Sequence, residues 1–123
     1  MKKSDLEIVK RMATAIKCDK TDVVKSIAEG FKNPDKFSFG GFNAKSYVPE
    51  IYVGKENGKA DYYIFVPKYS KKMITEEFGK WIFFNIEAKK MNGVFYLMVR
   101  KDDLETVTNL ITSKQITAQV LEY

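Results

Sequence analysis

Apolar positions recur every three to four residues at the two ends of the chain and alternate in its middle. Leu6, Val9, Ala13 and Ile16 form one stripe behind Ser4-x-x-Glu7, a capping box, so the spacing predicts a helix over residues 4–17. Asp19 or Thr21 can cap a second helix through Val23, Val24, Ile27 and Phe31, closed by Gly30 and Pro34. Pro34, Gly40 and Gly41 make residues 33–43 a loop or a short irregular strand.

The middle of the chain reads as a sheet. Asn57-Gly58 and Asn92-Gly93 each sit between aromatic-rich runs, and Asn-Gly is the strongest short hairpin signal because both residues of a type I′ turn need φ > 0. The first pair predicts strands over 46–54 and 60–68, with Tyr52 opposite Tyr63 and Val53 opposite Tyr62. The second predicts strands over 81–89 and 94–100, with Glu87 opposite Met98 and Lys89 opposite Tyr96. Asp102-x-x-Glu105 then caps a helix through Leu104, Val107, Leu110 and Ile111, and a short strand closes the chain over 115–121.

These elements predict one α+β domain over residues 1–123. Two N-terminal helices lie within 4–31, and a C-terminal helix and strand within 102–121. Between them stands a mostly antiparallel sheet of four to five strands, built over 46–100 from the two Asn-Gly hairpins. In that register one face is apolar. The other gathers Tyr52, Tyr63, Trp81, Phe83 and Tyr96 beside Lys89 and Arg100.

Charge gives this mixed face a meaning. Lys and Arg number 21 against 16 Asp and Glu, a net charge of +5. A basic surface interleaved with aromatics suits stacked bases and flanking phosphates. The chain has no His and one Cys, Cys18. That removes Ser–His and Cys–His nucleophiles, His-ligated metals and internal disulfides. The expectation is a small non-enzymatic nucleic-acid-binding module without a cofactor. Its contacts would be Tyr52, Tyr63, Trp81, Phe83, Lys89, Tyr96 and Arg100.

An alternative partner is a protein, for an inhibitor or adaptor of a mobile element, and a homodimer through the mixed face would bury the same aromatics. No apolar run reaches the length that spans a bilayer, and the charged N-terminus shows no leader, so the chain reads as cytoplasmic and without a membrane partner.

A second chemistry stands beside this. Asp61 opens one predicted strand, and Glu87-x-Lys89 closes another after the apolar run 81–86. This resembles the PD-(D/E)xK nuclease pattern. The resemblance implies that Asp61 and Glu87 hold Mg²⁺ and that Lys89 positions or activates water. The chain lacks a Pro-Asp before the strand of Asp61 and inserts a strand after Glu-x-Lys.

Overall fold

A computed structural model describes residues 1–39 and 45–123, the side chains of Phe39 and Lys45 excepted. The loop positions Gly40, Gly41 and Asn43 lie outside the described residues. Helix α1 (Lys3–Ala15) forms where the first stripe predicts it, although no side chain caps it. The chain continues through β1 (Val23–Ser26), a β2–β3 ribbon (Phe37–Phe39 and Lys45–Tyr47), β4 (Ile51–Gly54) and β5 (Ala60–Phe65). Helix α2 (Lys71–Lys90), β6 (Phe95–Val99), α3 (Leu104–Ser113) and β7 (Gln119–Glu122) complete it.

The main sheet has the order β1-β4-β5-β6-β7. Its first two pairings are antiparallel and its last two parallel. The sheet is therefore mixed, which corrects the expectation of a mostly antiparallel one. Helices α2 and α3 are the crossovers that parallel pairing requires. They cover one face, where Trp81, Phe84, Ala88, Val107 and Ile111 pack on Tyr62, Ile64, Phe95 and Leu97. Helix α1 covers the other, where Val9 and Ala13 pack on Ile51, Val53, Tyr63, Phe65 and Met98.

Three local causes account for the differences from the sequence reading. The segment expected as a second N-terminal helix is β1, an edge strand rich in β-branched residues. Its Ser26 hydroxyl donates to the Glu50 carbonyl at 3.0 Å and accepts the Ala28 N–H at 3.1 Å, and a turn at Gly30 (φ 91°) follows. Pro49 splits the strand expected over 46–54 into β3 and β4.

The expected third strand, 81–89, is the second half of α2. Its apolar run hides a helical spacing, since Trp81, Phe84, Asn85 and Ala88 are buried while Ile82 and Ile86 are exposed. Ser70 caps α2, its hydroxyl accepting the Met73 N–H at 3.0 Å.

The two Asn-Gly pairs do different work. Asn57 and Gly58 (φ 70° and 77°) turn the β4–β5 hairpin, but the loop also takes in Glu56 and closes with Lys55 N–H on the Lys59 carbonyl at 2.7 Å. The extra residue shifts the register by one, so Tyr52 stands opposite Tyr62 and Ile51 opposite Tyr63. A one-residue shift turns one strand's set to the other face relative to its partner, so Ile51 and Val53 share a side with Tyr63 and Phe65 rather than with Tyr62 and Ile64.

Asn92 (φ 54°) instead ends α2. The Gly93 N–H donates to the Ala88 carbonyl at 2.9 Å, and the chain turns into β6.

Gly93 is where α2 delivers the chain to the centre of the sheet. A Cβ there would stand 1.6 Å from the Ala60 carbonyl oxygen and 2.9 Å from Asp61 Oδ1. Beside it, buried Asp61 accepts the Val94 N–H at 2.8 Å and pairs with Lys55 at 3.2 Å. We predict that Gly93→Ala, which removes room rather than a contact, destabilises the domain by about 3 kcal/mol or more. An unchanged urea midpoint for this variant would contradict the packing described.

Candidate functional site at the carboxyl edge of the parallel strands

The structure divides the residues expected on one mixed face. Tyr63 stacks on Tyr96 (ring centroids 4.3 Å apart, planes at 10°) on the α1 side. Burial raises the Tyr63 hydroxyl well above its ordinary pKa. Tyr52 lies on the opposite side, against Tyr62, with the Lys25 ammonium 5.8 Å from its ring centroid. Trp81 is fully buried beneath α2, and among the described residues its indole N–H has no acceptor. Phe83 packs on Phe37 and Tyr47. Arg100 follows β6 and meets Asp102 at 3.5 Å. These side chains form no common stacking platform, because each face of the sheet is covered by helix.

Nor does the structure assemble Asp61, Glu87 and Lys89. Asp61 is taken up by Lys55 and the Val94 N–H. Glu87 and Lys89 stand on α2, where two residues of separation turn side chains about 200° apart. On the strand expected there, the same pair would share a face.

A different set of side chains converges. In an α/β sheet, ligands gather where parallel strands end and the following helices begin. At that edge Glu50, at the head of β4, meets the end of the antiparallel β5. Its Oε1 accepts the Phe65 N–H at 2.8 Å, and its Oε2 is paired with Lys80 Nζ of α2.

Met1, Asp5, Glu50, Phe65, Pro67, Glu77 and Lys80 line one cavity of about 200 Å³. Glu77 and Lys80 are one helical turn apart, so they reach the same wall. Burial raises the pKa of the Glu50 carboxyl, against the opposing pull of Lys80 and the Phe65 N–H, while Glu77 adds to the rise.

The interior is acidic: Asp5, Glu50 and Glu77 face one ammonium. The rim is basic. Lys68, Lys71 and Lys72 follow β5, and Lys2 follows Met1 of the cavity wall, whereas Lys3 lines a separate groove with Glu7, Lys10 and Glu29. All five are exposed. The α2 N-terminus adds its partial positive charge at the same edge.

In the sequence Glu50 falls on the mixed face with Tyr52 and Phe65, but nothing there gives it a partner. Glu77 and Lys80 could be linked to it only once residues 71–90 were read as a helix. Among the described residues no group of three or more His, Cys, Asp or Glu stands close enough together to hold a metal ion.

No protein-family model matches the chain, no curated protein matches it, and no solved structure matches its fold.

The buried pair yields a prediction whose sign is set by Glu50. Removing one partner of a buried ion pair costs about 3–5 kcal/mol, so Lys80→Met should be strongly destabilising, while a Glu50→Leu/Lys80→Met double variant should recover most of the loss. The folded-state pKa of Glu50 lies above 4.5, so the folded state binds the extra proton. Stability from this group is then greatest at low pH and falls as pH rises above 4.5. The Lys80→Met penalty should accordingly be larger at pH 8 than at pH 5. Equal penalties at the two pH values, measured by chemical denaturation, would contradict this account.

Proposed function

We propose that this domain binds nucleic acid through the basic rim at the carboxyl edge of its parallel strands, as a cytoplasmic module. The observation that carries the reading is the run of exposed lysines Lys68, Lys71 and Lys72 between the end of β5 and the first turn of α2, beside the cavity wall of Phe65 and Pro67. None of them takes part in the ion pairs found among the described residues. The net charge of +5 and the α2 N-terminus at the same edge support it. In this reading phosphates lie on the rim, since the acidic interior would repel them. The contact is with the backbone, so it is strongly dependent on salt and weakly dependent on sequence.

Binding of a labelled oligonucleotide in EDTA tests the proposal. The Lys68→Glu/Lys72→Glu variant should weaken binding at least about tenfold. Each lost phosphate contact should reduce the salt slope by about 0.9 on duplex DNA or 0.7 on single strands. No binding at low salt, or binding indifferent to these changes, would overturn it.

A second reading is favoured by the carboxylates inside the cavity. Mg²⁺ commonly takes one or two carboxylates together with substrate phosphate. Asp5 and Glu77 line the cavity with Glu50 and Lys80, so a Mg²⁺ there would draw on at most two carboxylates, in place of the Asp61, Glu87 and Lys89 set. Mg²⁺ would there supply charge neutralisation for phosphodiester hydrolysis. On this reading Glu77→Gln abolishes cleavage of DNA or RNA in Mg²⁺ and leaves binding in EDTA intact. Absent cleavage, or cleavage that persists in both Glu50→Gln and Glu77→Gln, removes it.

A further inference from the structure

The outward side of α2 carries a second surface, separate from the carboxyl-edge cavity. At about 100° per residue, Lys71, Thr75, Phe78, Ile82, Ile86 and Lys89 fall on one side of the helix. Ile82 is 41% exposed and Ile86 60%, although both are large and apolar. Ile74 and Phe78, half-buried against the core, continue the same every-fourth-residue row, so the apolar ridge is exposed at Ile82 and Ile86 and sinks into the core toward Ile74. Ile74, Thr75 and Phe78 also wall a groove of about 310 Å³, closed on its far side by Leu110 of α3 and by Lys114 just beyond its end. A ridge joined to a groove differs from a scatter of exposed apolar residues, which needs no explanation.

Charge selects the occupant. Lys71 and Lys89 stand at the two ends of the stripe, and Lys114 stands on the groove wall. The acids of the two helices lie elsewhere. Glu77 faces the carboxyl-edge cavity. Glu76 and Glu87 are turned about 120° or more around α2, and Glu105 a similar angle around α3.

A second copy is a poor fit. An antiparallel pairing of two stripes sets Lys71 against Lys89, and a parallel one sets Lys71 against Lys71. We propose that the ridge and groove dock an amphipathic helix of another protein, one with carboxylates at both ends of its apolar stripe. Lys71 and Lys89 are separated by about 27 Å along the axis, at 1.5 Å per residue, so the partner helix runs about five turns. The inference shares Lys71 with the nucleic-acid reading and otherwise rests on Ile82, Ile86, Lys89 and the α3 groove, which that reading does not use.

The test uses the full chain and two synthetic helical peptides of five turns. Both carry Leu at i, i+4, i+7 and i+11. One has Glu at both ends of the stripe, and its twin has Lys there. The Glu peptide should bind at least about tenfold more tightly than the Lys twin, a difference of 1.4 kcal/mol. Ile86→Asp, on an exposed position that leaves the circular dichroism unchanged, should lose that binding. The Lys71→Glu/Lys89→Glu variant should reverse the preference between peptides.

Equal binding of both peptides, or of neither, overturns the proposal. So does self-association in sedimentation that Ile86→Asp abolishes, which would make the occupant a second copy. Lys68 and Lys72, which test nucleic-acid binding, lie outside the stripe, so the two readings fail separately.

Discussion

The approach of the Gly93 backbone to the Ala60 carbonyl governs the rest of the structure, because it brings the end of α2 directly onto the first residue of β5. With no side chain between them, the Val94 N–H reaches Asp61 and the Val94 carbonyl accepts the Tyr62 N–H at 3.0 Å. Those two bonds start the parallel ladder of β5 and β6. The start of the ladder sets the position of every later pair, including Phe65 with Met98. It therefore also sets where β5 ends, and so where the Phe65 N–H meets Glu50. A packing constraint at one edge of the sheet thus positions the cavity at the other.

Central strands explain much of what the sequence concealed. All six residues of β5 are buried, with Tyr62 and Ile64 facing α2 and α3, and Tyr63 and Phe65 facing α1. A strand covered on both sides has no polar face, so alternation carries no information about exposure. The same is true of most of β6. Helix α1, α3, the β4–β5 hairpin and the position of β6 were readable, because each is amphipathic or bounded by turn residues. Residues 81–88 were not, because an unbroken apolar run is compatible with a buried strand or a long helix. That single ambiguity turned the α2–β6 junction into an apparent hairpin and the mixed sheet into an antiparallel one.

The candidate site was hidden for a related reason. Glu50, Phe65, Glu77 and Lys80 are brought together by a strand register and a helix phase, neither of which is written in local spacing. The acids that did stand out, Asp61 and Glu87, are conspicuous because they flank turns. Asp61 is then consumed in holding one of those turns.

The burial of Trp81 has a spectroscopic consequence. It is the chain's one tryptophan, and it sits wholly within the layer formed by α2, α3 and the sheet. Its emission therefore reports on that layer. The α1 layer instead holds the stacked Tyr63 and Tyr96. Trp81 emission can thus follow the α2/α3 layer by itself, and a transition coincident with the loss of far-UV circular dichroism would mark the domain as one cooperative unit.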